Sequence, residues 1–423
     1  MAVHAINEAK RCLQCKKPLC QIKGCPVQTH IPEMIRLFLE GKIEEAGEML
    51  FENNPMSAVC SAICDHEAQC EGNCIQGRKN APVQISAIEH YISEAYLNRL
   101  SMNRLPSKGQ RVAVIGAGPA GMTVAFKLGK LGYDVTLFER KNFVGGLLRY
   151  AIPNFRLSRS IVDSYDKKLR ELGIHLRPNT TIGGAIKLDA LFEDGYEAVF
   201  MGTGAWRARG LGVKGESLGN CHYAIDYLQN PDSYVLGDTV AVIGAGNSAM
   251  DAARTAIRRG AKKVTIYARS KVRASQTELD YTEADGVRFE LGMGVHSITE
   301  EGPMLYKRHF DEEGNLISED EPQLIPADSV IIAVSQKPKD KIARTTTGIT
   351  FNERGLVEVD ENMQTKHEGV YSAGDVVLGS MNVVMAVRDA KIAAAAMDAY
   401  LTEKRCLAAE KLAKNVCPME NIS

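Results

Sequence analysis

The chain has 423 residues, 45% hydrophobic and 24% charged, with a formal net charge of −1. That length exceeds what one hydrophobic core serves and implies two or three domains, while the balanced charge excludes a nucleic-acid footprint. The opening MAVHAINEAKR has no apolar signal-peptide core and no uninterrupted apolar run is long enough to cross a bilayer, so a cytoplasmic chain is expected.

Residues 1–105 hold eight of the eleven cysteines. RCLQCKKPLCQIKGCP sets Cys12, Cys15, Cys20 and Cys25 in a C-x2-C-x4-C-x4-C-P run, and CSAICDHEAQCEGNC adds Cys60, Cys64, Cys70 and Cys74. In a reducing compartment such density points to metal binding or redox chemistry rather than to disulfides. Soft thiolates suit zinc or iron–sulfur clusters. Zinc ribbons pair two CxxC units and this region has one. Bacterial ferredoxins send the Cys before proline to a different cluster from its three predecessors, which would split this run after Cys20. Between the groups, IPEMIRLFLEGKIEEAGEMLFENN (31–54) carries apolar residues at helical spacing and predicts a helix, as does ISAIEHYISEAYLNRL (85–100). LPSKGQ (105–110) has linker composition. Cys221, Cys406 and Cys417 are isolated and read as inert thiols.

The pattern then changes to strand, glycine turn, helix, strand: RVAVIGAGPAGMTVAFKLGKLGYDVTLFER (111–140), repeated as DTVAVIGAGNSAMDAARTAIRRGAKKVTIYARS (238–270). Two copies of this βαβ unit mean two dinucleotide-binding domains. In the first, Gly116, Gly118 and Gly121 take the G-x-G-x-x-G positions around Pro119 and Ala120. The first glycine permits the turn, the second lets amides approach a pyrophosphate, and the third allows close helix–strand packing. Glu139, followed by Arg140, ends the second strand and suits the hydroxyls of an adenosine ribose. The second copy has Gly244 and Gly246, then Asn247, Ser248 and Ala249, with Ala249 in the third glycine's place. Its second strand ends in Arg269, Lys271 and Arg273 with no acid, which suits the 2′-phosphate of NADP(H). The tail returns to short strands (SVIIAV, GLVEV, GVYSAGD) and a small-residue helix, MNVVMAVRDAKIAAAAMDAYL.

This organisation resembles the two-domain flavoprotein reductases. FVGGLLRYAIPNFRL, with Gly146, Leu147 and Arg156, is similar to the flavin-binding segment of their glutamate synthase-like branch. FMGTGAWRARGLGVKGE, with Gly204, resembles the strand where the chain leaves the flavin domain, and GVYSAGDVVLGSMNVVMAV, with Gly374, Asp375, Asn382 and Val383, resembles the C-terminal flavin motif. The resemblance implies that the first unit binds FAD, with Asp375 at the ribityl chain and the next helix aimed at the isoalloxazine. It departs where Ala268 replaces an arginine, leaving NADH use open, and where Ser335 and Ala390 replace glycines. The implied architecture is α/β: an all-α iron–sulfur domain (1–105), then an FAD domain (106–236 and 335–423) with the NADP(H) domain (237–334) inserted.

The cysteine module ahead of these domains resembles the N-terminal part of glutamate synthase small subunits. The likeness extends to dihydropyrimidine dehydrogenase and to the large subunit of bifurcating NADH-dependent ferredoxin:NADP oxidoreductases. It implies two [4Fe–4S] clusters, one on Cys12, Cys15, Cys20 and Cys74, the other on Cys25, Cys64, Cys70 and Glu89, with Cys60 left without iron. Four residues separate Cys20 from Cys25 where relatives have three, so a different loop shape is expected. The implied chemistry is hydride transfer from NADPH and onward passage of single electrons, with no acid–base catalytic side chain. The implied partner is a larger electron-accepting or -donating subunit or a ferredoxin. Glutamate synthase-like complexes supply the leading expectation, and the FAD/NADP(H) subunit of a bifurcating transhydrogenase the alternative. A thioredoxin reductase-like activity would need a redox CxxC in the second domain, and residues 237–330 contain no cysteine. A zinc-bound docking platform is the non-enzymatic alternative.

Overall fold

The computed structural model describes residues 2–311, 313 and 315–415; Cys417 lies outside the described residues. The N-terminal domain is helical: Ala2–Lys10, Ile31–Leu39, Ile43–Asn53, Ser57–Ile63 and Ile85–Arg99. Residues 31–54, expected as one helix, form two. Gly41 at φ +78° ends the first; its N–H donates to Phe38 O (3.1 Å) and that of Lys42 to Leu37 O (2.9 Å). These are the paired bonds of a Schellman cap, for which a left-handed glycine is suited. Cys20–Gly24 closes a π-helical turn. Such a turn takes in one more residue than an α turn, which absorbs the long spacer before Cys25. Gly24 permits the close packing, since a Cβ there would stand 2.7 Å from Gln69 O.

The first α/β unit is a five-stranded sheet in the order Val370–Ser372, Tyr196–Met201, Arg111–Ile115, Asp134–Phe138, His175–Arg177, all parallel. The central strand Arg111–Ile115 is buried from Val112 to Ile115, as a strand covered on both faces requires. Pro119–Lys130 packs on one face beside the 33-residue helix Val383–Asn415, whose Val387, Ala390, Ala393 and Met397 are fully buried. The GLVEV segment makes no strand; Val357 forms a single bridge to Phe351. The second unit repeats the design, with parallel strands Cys221–Tyr223, Ser329–Ile332, Thr239–Ile243, Lys263–Ala268 and Arg288–Leu291. Residues 221–223 thus pair within the second sheet, ahead of the boundary expected at 237. An antiparallel hairpin, Met293–Thr299 with Gly302–Phe310, extends this unit.

The chain crosses between the units twice, and the two crossings pair as a short antiparallel ribbon, Arg207–Ala208 with Gln336–Lys337. Ser335, at the ribbon's edge, has φ +99°, the conformation that a glycine there would adopt freely. The helical domain shares its core with the first unit: Phe51 meets Phe126 edge-on at 5.5 Å, and Phe126 meets Tyr165 at 6.1 Å. No helix among the described residues is long and apolar enough to cross a membrane.

Phe126 is 1% exposed at this junction. Phe126→Ala is expected to cost about 3–5 kcal/mol, read by chemical denaturation, with earlier loss of the helical domain than in the wild type.

Candidate functional site

One cleft of about 1000 Å³ runs between the two α/β units and reaches the helical domain at Ile63 and Asp65, the neighbours of Cys64. Both glycine turns lie along it. Gly116 has φ +98°, and a Cβ there would meet Gly202 O at 2.4 Å; one on Gly121 would meet Gly116 O at 1.9 Å. A Cβ on Gly118 or Gly246 would meet nothing within 4 Å, so bare backbone faces the cleft at both. Each is followed by a 12-residue helix, Pro119–Lys130 or Asn247–Arg258, whose N-terminus opens towards the cleft. Open backbone at a helix N-terminus fits a pyrophosphate on both sides. Ala249 replaces the third glycine without a gap and is fully buried.

Glu139 is 8% exposed and braces the first turn: its Oε2 accepts from Ala117 N–H (2.8 Å) and its Oε1 from Lys141 N–H (2.8 Å). Its remaining acceptor capacity faces the cleft, as a ribose diol requires. Beside it the Arg140 guanidinium lies over the Trp206 ring at 4.6 Å. Gly146, at φ +54°, lets the Gly145–Leu147 segment press on the turn, its Cβ position lying 2.9 Å from Gly118 Cα. Gly204 and Leu147 line the cleft, and so do Gly374, Asp375, Asn382 and Val383 at the foot of the long helix. Asn382 Oδ1 accepts from Met385 N–H (3.2 Å) and caps that helix. Burial raises the Asp375 carboxyl to about 6. This is an acceptor short of partners, which fits a polyol chain such as the ribityl group.

On the second unit, Asn247, Ser248, Arg269, Lys271 and Arg273 line the cleft. Arg273 N–H donates to Ala245 O (2.8 Å) and folds the basic loop back on the glycine turn. Arg156 has contacts on both sides of the cleft. It lines the cleft, yet its guanidinium reaches across to Asp251, 3.0 Å from Oδ1 and 2.8 Å from Oδ2, and to Glu278 Oε1 at 2.7 Å. Sequence reading missed Asp251; its signal was the acid closing VIGAGNSAMD.

The thiols gather into two sets. Cys12, Cys15, Cys20 and Cys74 line one small cavity with Ile31 and Ile35. Burial pushes Cys20 up to about 11, and Cys74, Cys12 and Cys15 act on it electrostatically. Cys25, Cys64, Cys70 and Glu89 form the other set: burial and Glu89 raise Cys25 and Cys70, while Cys60, Glu89 and Cys70 raise Cys64. Among the described residues no three His, Cys, Asp or Glu side chains close around a single ion; the first set surrounds a space instead. Glu89 is 7% exposed, contrary to the usual solvated helical glutamate, and burial lifts it to about 8. A buried acid beside three thiols fits a cationic metal centre. Thr29 N–H points at Cys25 Sγ (3.4 Å), the outer support that a metal thiolate takes. Cys60 is buried against Cys64.

A sheet–turn–helix cleft between two nucleotide folds, with two thiol sets behind it, defines an iron–sulfur flavoprotein oxidoreductase. The family profile described as pyridine nucleotide-disulphide oxidoreductase matches residues 110–390, and that described as dihydropyrimidine dehydrogenase domain II, 4Fe-4S cluster, matches residues 1–100. The glutamate synthase [NADPH] small chain of Azospirillum brasilense is 35% identical over 95% of this chain and 90% of its own length. The NAD-dependent dihydropyrimidine dehydrogenase subunit PreT of Salmonella typhimurium is 33% identical over 94% of this chain and 95% of its own. Mycobacterium tuberculosis FprA in complex with NADPH shares the fold, with TM-score 0.60 and 18% identity over 73% of this chain and 89% of its own. The chain belongs to the pyridine nucleotide-disulphide oxidoreductase family, in the branch of the glutamate synthase small chains. It is an oxidoreductase with FAD- and NADP-binding folds and an N-terminal 4Fe–4S domain.

Because Asp375 sits near 6 rather than 3.8, the folded apoprotein keeps a proton that the unfolded chain releases. Asp375 therefore withdraws stability as pH rises from about 4 to about 6. Apo Asp375→Asn is expected to be more stable than the wild type at pH 7 by about 2–3 kcal/mol and equal to it near pH 3, read by denaturant melts at both pH values.

Proposed function

We propose that this chain is the NADPH-oxidising, electron-delivering subunit of a glutamate synthase-like complex. The observation that carries the reading is the continuity of the cleft, from the basic loop of the second unit, past the first glycine turn, to the residues on either side of Cys64. FAD, when bound, supplies the acceptor for the hydride that turns NADPH into NADP⁺ and can hand its two electrons singly to iron–sulfur clusters.

The chain's own part is to hold, orient and insulate. Arg269, Lys271 and Arg273 face the cleft without an ion-pair partner among the described residues, which suits them to a 2′-phosphate. Glu139 would take the adenosine ribose of FAD, and the backbone at Gly118 and Gly246 the two pyrophosphates. Asp375 would accept from the ribityl hydroxyls. Cys25, Cys64, Cys70 and Glu89 would hold the cluster nearer the cleft, and Cys12, Cys15, Cys20 and Cys74 the outer one. Thiols ringing a cavity support clusters over zinc, because the ligands of one zinc ion close within about 2.3 Å of it. The half-exposed outer set leaves a route to a larger subunit.

Iron analysis of anaerobically purified protein is expected to give about eight irons per chain, as two four-iron clusters require; two zincs would overturn the reading. A glutamate synthase large chain is the expected co-purifying partner. Arg273→Ala should weaken NADPH about 10- to 100-fold and leave NADH nearly unchanged, measured as dissociation constants; equal losses would remove the 2′-phosphate assignment.

A further inference from the structure

The two α/β units are tied covalently only by the ribbon of Arg207–Ala208 with Gln336–Lys337, a pair of short strands that by itself sets no angle between them. A second tie is built from side chains. Phe155 and Arg156, in the PNFRL turn of the first unit, both enter the second. Phe155 lies beneath two guanidiniums, Arg254 at 4.7 Å and Arg258 at 4.1 Å. Arg156 Nη1 donates to both carboxylate oxygens of Asp251, and its Nε lies against Glu278. Glu278 in turn binds Arg254 Nη1 (2.9 Å), and Arg254 Nε binds Asp285 (2.8 Å). Arg156, Asp251, Glu278 and Arg254 have side chains only 10%, 6%, 12% and 7% exposed.

The helix Gln276–Ala284 that carries Glu278 is also held from the helical domain, where Glu67 accepts from Gln276 N–H and Thr277 N–H at 3.2 Å. Asp251 lies on the helix that opens at Gly246, so whatever holds Asp251 holds the nucleotide's pyrophosphate seat. Arg156 and Asp251 both line the cleft.

We propose that Arg156 is a positioning residue for hydride transfer, clasping the NADP(H)-binding unit at a fixed angle to the flavin-binding unit through Asp251 and Glu278. The proposal rests on the reading of the cleft as the NADPH–flavin site. Hydride transfer needs its reacting atoms within about 3–3.5 Å, and a misplacement of about 1 Å costs roughly 100-fold. An angle set by a two-residue ribbon alone would not hold that tolerance. This role stands beside the cofactor contact expected of Arg156, which lines the cleft while its Nη1 and Nε face the two carboxylates.

The test uses the FAD- and cluster-loaded protein and its variants R156Q, R156K and D251N. Flavin reduction by saturating NADPH is followed by stopped flow, the NADP⁺ dissociation constant by calorimetry, bound FAD by absorbance, and the inter-unit arrangement by small-angle X-ray scattering. In R156Q the reduction rate is expected to fall about 100-fold, with the NADP⁺ constant within about threefold, FAD content unchanged and the scattering broadened towards more open forms. R156K should regain about tenfold of the rate, because one cation still reaches one carboxylate. D251N should reproduce the R156Q defect. A wild-type rate in R156Q, or FAD loss with unchanged scattering, would overturn the proposal, the second by leaving Arg156 a flavin-binding residue alone. A wild-type protein whose flavin NADPH does not reduce would instead overturn the reading of the cleft, and the proposal with it.

Discussion

The helical domain does not stand beside the first α/β unit as a separate body; the two bury one another. Phe51 and Val59 on the helical side share a continuous core with Phe126, Tyr165 and Leu169 on the other. Burial of this kind is non-directional and grows with the apolar area removed from water. It is what keeps Ile63 and Asp65 in the wall of the cleft, and Cys64 between them. Electron passage between centres demands a fixed short separation, and a hydrophobic junction supplies it without any specific bond to the redox groups.

The other junction is of a different kind. Between the two nucleotide folds Arg156 crosses to Asp251 and Glu278, and ion pairs within the second unit carry this contact on through Arg254 and Asp285 to Arg258. Buried ion pairs contribute little net stability but are strongly directional, and breaking one leaves an uncompensated charge. Such a junction is suited to fixing an angle. The molecule thus welds its thiol sites to the first α/β unit by apolar packing and indexes the second unit against that body by charge.

The glycines show how far local chemistry reads through. Gly116, Gly121 and Gly244 each sit where a Cβ would strike a carbonyl oxygen, at 2.4, 1.9 and 2.3 Å, and Gly118 and Gly246 sit where it would strike nothing. That division of labour was legible in VIGAGPAG and VIGAGNSA, since it belongs to the strand–turn–helix geometry itself. The break at Gly41 was legible too, in the glycine–lysine pair, but apolar spacing on either side of it masked the signal.

The sequence by itself determined the two nucleotide folds, the acid after one second strand and the bases after the other, and the crowding of thiols near the start. These are properties of short segments, whose backbone conformation and charge depend on near neighbours. Resemblance supplied the division of the thiols and the suggestion of Glu89. Only the tertiary structure decided that Cys74 joins Cys12, Cys15 and Cys20 around one space, that Glu89 is buried, and that Arg156 reaches Asp251. The partners in each case come from segments far apart in the chain. Which of them meet is settled by how the helical domain and the two sheets pack, not by the spacing of residues along any one of them.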